Sequence, residues 1–158
     1  MTTETATFAA GCFWHVQESF DKLKGVESTI VGHTGGKAEN PTYQNVCSWI
    51  TGHVEAVEIK FNQKIIRYKQ LLDTFWKIHD STTKDRQGLD IGRQYNSVIF
   101  YHNEEQKEIA EKSKKGVQNL TDKKIVAEIK KAQRFWKAEE YHQKYFENIS
   151  LAGGRRHM

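Results

Sequence analysis

The chain has one proline, Pro41, two cysteines, Cys12 and Cys47, and no apolar run that approaches a membrane span. Each scarcity excludes something. Two thiols in 158 residues cannot form the disulfide framework of a small secreted scaffold, and the polar opening Met1 to Thr7 has no secretion-signal pattern. Both thiols are therefore expected reduced, in the cytoplasm. A membrane helix needs about 20 apolar residues, so no membrane association is expected. Without a Gly/Ser run or a repeat to mark a linker, residues 1–150 read as a single catalytic domain. Residues 151–158, with Gly153-Gly154-Arg155-Arg156-His157-Met158, read as a frayed tail. The net charge of +4 comes from 24 basic against 20 acidic residues. Lys112-Ser113-Lys114-Lys115 fits a solvated helix face, and no recognition motif makes nucleic acid an expected partner. The cysteines and seven histidines lack compact ligand spacing, so neither metal nor cofactor is expected.

The most informative stretch is Ala10-Gly11-Cys12-Phe13-Trp14. Thr5 to Ala10 reads as a strand, and Phe13, Val16, Phe20 and Leu23 recur at helical spacing. Cys12 then sits in the first helical turn, where free N–H groups and the helix dipole favour a thiolate. Phe13 and Trp14 would wall a pocket with apolar surface. Against this stands the inert alternative, a cysteine packed in the core as a small hydrophobe. His15, three residues on, shares the Cys12 helix face and is expected either to tune the thiol or to sit half-exposed.

Further strands are predicted over Glu27 to His33, Val54 to Phe61, Tyr95 to Tyr101 and Lys124 to Lys130. Helices are predicted around Tyr68 to Trp76, over Glu104 to Leu120 and Glu139 to Glu147, with a shorter one over Tyr43 to Trp49. The alternation implies a two-layer α/β (α+β) sandwich with helices against a mixed sheet. In the third strand, alternation places Glu55 on the face of Val57, Ile59 and Phe61. A carboxyl group there loses hydration, its pKa rises, and it becomes a proton donor near neutrality. The alternative is a strand-end glutamate in water. The long polar loop Asp80 to Gly92 is too long to be a simple connector. Asp90, Tyr95 and Tyr43 are the polar groups expected to converge on Cys12.

The segments Gly11-Cys12-Phe13-Trp14, Gly32-His33-Thr34-Gly35-Gly36, Asn40-Pro41-Thr42-Tyr43, Val46-Cys47-Ser48, Thr51-Gly52-His53-Val54-Glu55-Ala56-Val57, Arg86 to Tyr95 and Ala138-Glu139-Glu140-Tyr141-His142 resemble, in order, the motifs of the A-type peptide methionine sulfoxide reductases. The resemblance spans about residues 5 to 147. It implies a sandwich related to the ferredoxin-like type and reduction of the S epimer of methionine sulfoxide, free or in proteins. It also implies residue roles. Cys12 attacks the sulfoxide sulfur, Glu55 protonates the departing oxygen, and Tyr43 and Tyr95 hydrogen-bond that oxygen. Phe13 and Trp14 enclose the substrate methyl, and Asp90 helps hold the polar side.

Three positions depart from the family pattern without removing a catalytic group: His15, Trp49 and Ser81. A fourth departure has a larger consequence. Many members pair the catalytic cysteine with downstream cysteines, and no cysteine follows Cys47, which matches a structural position. The expectation is a monomer with a one-cysteine cycle, its sulfenic acid reduced by an external thiol such as thioredoxin, glutaredoxin or glutathione. A thiol peroxidase would share the cysteine but not need the acid or the aromatic wall. A basic binding module would need neither.

Overall fold

The computed structural model describes residues 3–37, 39, 42–43 and 52–145. Cys47, Trp49, Pro41 and the helix expected over Tyr43 to Trp49 lie largely outside them, Tyr43 excepted. Six strands form one sheet: β1 (Thr3–Ala10), β2 (Val26–Thr34), β3 (Val54–Asn62), β6 (Ser97–Tyr101), β7 (Glu128–Lys131) and β8 (Trp136–Lys137). Two short strands, β4 (Arg86–Gln87) and β5 (Asp90–Ile91), pair separately. The order of the main sheet is β7-β6-β1-β3-β2-β8. Neighbours run antiparallel except β6 and β7, so the sheet is mixed as expected. Among the described residues three helices, α1 (Phe13–Asp21), α2 (Tyr68–Lys77) and α3 (Glu104–Gln118), complete the α/β layers. Among the described residues no helix is long and apolar enough to cross a membrane.

Helical spacing explains why these segments fold and where they pack. Phe13, Val16, Gln17 and Phe20 are the buried stripe of α1, and Tyr68, Leu71, Leu72 and Phe75 that of α2. Gln17 is tolerated there because its amide donates to the Thr29 carbonyl and hydroxyl. At the start of α3, the Asn103 side chain caps the Gln106 N–H at 2.8 Å, with Glu104 and Glu105 favouring the positive helix end. All three helices cover one sheet face, where Phe8 packs its ring 5.4 Å from both Phe20 and Phe75. Ala9, Ala56, Val98 and Phe100 form a smaller cluster with Phe135 on the opposite face.

Several elements differ from the sequence reading. Tyr95 ends a 3-10 turn (Arg93–Tyr95) rather than opening a strand, because Gly92, at φ +149°, turns the chain before β6. The polar loop contains the β4–β5 hairpin, built around Gly88. The strand expected over Lys124 to Lys130 begins only at Glu128, where pairing with β6 starts. Of the closing helix expected over Glu139 to Glu147, Glu140–His142 is a 3-10 turn, and residues 146–147 lie outside the described residues. An unforeseen edge strand, β8, lies so close to β2 that a Cβ on Gly32 would meet the Trp136 carbonyl oxygen at 2.3 Å.

Candidate active site

The end of β1 delivers Cys12 to the sheet margin through Gly11, whose φ of +95° a side chain would strain. A Cβ there would also lie 2.7 Å from Cγ of Gln87, so the glycine lets the hairpin close over this corner. Cys12 is the N-cap of α1, one position earlier than expected, and its carbonyl accepts the His15 and Val16 N–H groups. The thiol is half-buried. It borders a cleft of about 190 Å³ with Ala10, His15, Gln87, Gly88 and Asp90.

Glu55 comes from β3 and is 1% exposed. Its face is the one alternation predicts, shared with Val57, Ile59 and Phe61 under the helices. The Phe13 N–H donates to Glu55 Oε1 at 3.1 Å, tying the acid to the residue after the thiol. Oε2 is buried without a hydrogen-bond partner among the described residues. Loss of hydration lifts the Glu55 pKa to about 8, with the Phe13 amide opposing the rise and the Asp90 charge adding to it. The carboxyl therefore carries a proton at neutral pH.

For Cys12 the structure overturns the sequence expectation. The backbone amides of Trp14 and His15 do favour its thiolate, but burial outweighs them. With the charges of Glu55 and Asp90 adding to burial, the thiol is pushed up to about 11. The helix end moderates a rise rather than producing a fall. At neutral pH the resting pair is thus a thiol and a carboxylic acid.

Phe13 and Trp14 belong to an aromatic cluster larger than the sequence indicated. Phe13 lies 6.2 Å and Trp14 6.3 Å, ring to ring, from Tyr43. Tyr145 stacks on Trp14 at 3.8 Å, and the Trp14 indole N–H donates to His142 Nδ1 at 2.9 Å. That bond fixes His142 as the neutral tautomer with its proton on Nε2, and burial pushes its pKa down. His33, the cross-strand partner of Glu55, packs its ring 5.5 Å from Phe13, and burial lowers it to about 4. Sequence reasoning assigned His33, His142 and Tyr145 no part. The signal available was the aromatic density of the closing segment.

The structure thus brings Cys12, Glu55, Phe13, Trp14 and Tyr43 together. Asp90, at the exposed start of β5, borders the same cleft, and its charge reaches both Cys12 and Glu55. Tyr95 is half-buried in the 3-10 turn that packs on β3.

The model of the family described as peptide methionine sulfoxide reductase matches residues 4–155. The peptide methionine sulfoxide reductase MsrA of Methanosarcina acetivorans is 56% identical over 146 residues, covering 91% of this chain and 78% of that protein. The reduced form of Mxr1 from Saccharomyces cerevisiae superposes with a TM-score of 0.88 at 32% identity, covering 93% of this chain and 86% of its own. The same yeast protein in complex with Trx2 matches at a TM-score of 0.66 and 25% identity, over 91% and 85% of the two chains. A family match over nearly the whole length, in a fold that sets a cysteine beside a protonated carboxyl group, leaves one assignment: the chain belongs to the peptide methionine sulfoxide reductases, as an oxidoreductase of the A type.

Proposed function

We propose that the chain reduces the S epimer of methionine sulfoxide, free or in proteins, through a cycle that uses Cys12 as its one redox cysteine. The observation that carries this reading is Glu55, held protonated by burial and tethered beside Cys12 through the Phe13 amide. A sulfoxide sulfur is a weak electrophile until its oxygen is protonated. Glu55 gives its proton to that oxygen, with Tyr43 and Tyr95 as hydrogen-bond donors, while Cys12 Sγ bonds to the sulfur. The thiol proton passes to the Glu55 carboxylate, and the protonated oxygen leaves the substrate sulfur as hydroxide; hydroxide then bonds to Cys12 Sγ and breaks the Sγ–sulfur bond, with the electron pair of that bond returning to the substrate sulfur. The Cys12 thiol becomes a sulfenic acid, the sulfoxide becomes a thioether, and Glu55 ends as it began. The sulfur of Cys12 is oxidised by two electrons and that of the substrate is reduced by two. Because Glu55 is protonated, its charge does not oppose ionisation of the thiol at the moment of attack.

Handedness follows from three contacts around one sulfur. Cys12 approaches it, Phe13 and Trp14 enclose the methyl, and Glu55 takes the oxygen, so the mirror-image epimer exchanges methyl and oxygen. Asp90 orders the polar side, away from the aromatic wall. Supplying each separated epimer with dithiothreitol as reductant should give at least about a hundredfold preference for S. Equal rates on both epimers would overturn the assignment.

The reductant is an external thiol. It condenses with the Cys12 sulfenic acid to give a mixed disulfide and water, and a second thiol then frees Cys12. Thioredoxin is the reductant we assign, with support from the complex formed by the yeast relative. The enzyme works as a monomer in the reducing cytoplasm. Mass spectrometry after one equivalent of substrate, without reductant, should find a sulfenic acid on Cys12, and Cys47→Ser should retain full turnover. A Cys12–Cys47 disulfide would refute the one-cysteine cycle.

A further inference from the structure

We propose that the tip of the β4–β5 hairpin is the docking surface for the protein thiol that reduces Cys12, with Leu89 and Ile91 as its apolar contacts. The inference rests on the reading that a thioredoxin-type protein is the reductant. Leu89 is 99% and Ile91 74% exposed, two large aliphatic side chains on a hairpin of four strand residues. Isolated apolar side chains on a surface need no explanation, but these two flank Asp90, which borders the Cys12 cleft. Cys12 is half-buried, and a mixed disulfide requires sulfur atoms about 2 Å apart. Any protein that supplies the second sulfur must therefore press against the rim of this cleft, and the hairpin forms one side of that rim through Gln87, Gly88 and Asp90.

The hairpin is also held in place before a partner arrives. The Asp80 N–H donates to Gln87 Oε1, and the Gln87 amide donates back to the Asp80 carbonyl at 2.7 Å. Asn96 and Asp85 are joined by two bonds, and the Gly92 N–H closes the base on the Asp85 carbonyl at 2.8 Å. A rigid apolar tip loses little entropy on docking. Its chemistry fits a protein whose reactive thiol lies within apolar surface. It offers nothing to glutathione, a small charged peptide. Phe13 and Trp14, assigned to the substrate methyl, are not among the residues lining the cleft that the hairpin borders, so substrate and reductant need not share a surface.

The test compares wild type with Leu89→Gln/Ile91→Thr in two assays, one driven by thioredoxin kept reduced by its reductase, one by dithiothreitol. The expected result is a KM for thioredoxin raised by about tenfold or more, with KM for a sulfoxide peptide and turnover under dithiothreitol unchanged. Leu120→Gln is the control, because that exposed leucine borders a groove with Glu4, at the opposite end of β1 from Cys12. An unchanged KM for thioredoxin overturns the proposal. So does a raised peptide KM under dithiothreitol, which would make the tip a substrate contact. Failure of wild type to turn over with dithiothreitol would instead sink the functional reading itself.

Discussion

Cys12→Ser is expected to lower sulfoxide turnover by a factor on the order of 10⁴ or more while leaving the fold intact. A hydroxyl oxygen neither attacks sulfur at useful rates nor carries the two-electron change from thiol to sulfenic acid. Cys12 is the one free thiol among the described residues. The substitution removes little volume at a half-buried helix cap, so the thermal midpoint should shift by the equivalent of less than about 1 kcal/mol. Turnover with dithiothreitol and a melting curve on the same sample separate the two effects. Substantial activity in a well-folded Cys12→Ser would end the nucleophile assignment.

Glu55→Gln is expected to lower kcat/KM by about 10²-fold to 10⁴-fold and, at neutral pH, to raise stability. Glutamine keeps an oxygen for the Phe13 N–H but has no proton to give. The stability effect follows from the carboxyl titrating near 4.5 when unfolded and about 8 when folded. Between those values the folded state holds a proton that the unfolded chain has released. Stability from this group is complete below pH 4.5 and is lost as pH rises through 8, at about 1.4 kcal/mol per unit. Glutamine does not titrate. The stability difference between variant and wild type should thus grow in the variant's favour by on the order of 3 kcal/mol between about pH 4 and 7. Wild-type kcat/KM should fall above pH about 8 as the acid ionises. Melting at several pH values and a pH–rate profile check both halves, and a pH-independent stability difference would contradict them.

The parts legible in the sequence were those written in periodicity. The α2 stripe, and the strand alternation that sets Glu55 on the same face as Phe61, needed only neighbours in the chain. Two-residue strands such as Trp136–Lys137 carry no periodic signal, and pairing with β2 creates them. Tyr95 carries strand-forming chemistry, but Gly92 bends the chain there. The thiol's ionisation went wrong in sign because a helix start is visible in sequence and burial is not. His142 was missed for a related reason: its bond to Trp14 joins residues 128 positions apart.

The central claim is that Glu55 is an uncharged acid beside Cys12 at working pH. Difference infrared spectroscopy of wild type against Glu55→Gln tests it directly. A protonated-carboxyl carbonyl band should be present in wild type at neutral pH, absent from the variant, and lost with a midpoint near pH 8. No such band at neutral pH, with Glu55 already a carboxylate, would contradict the account.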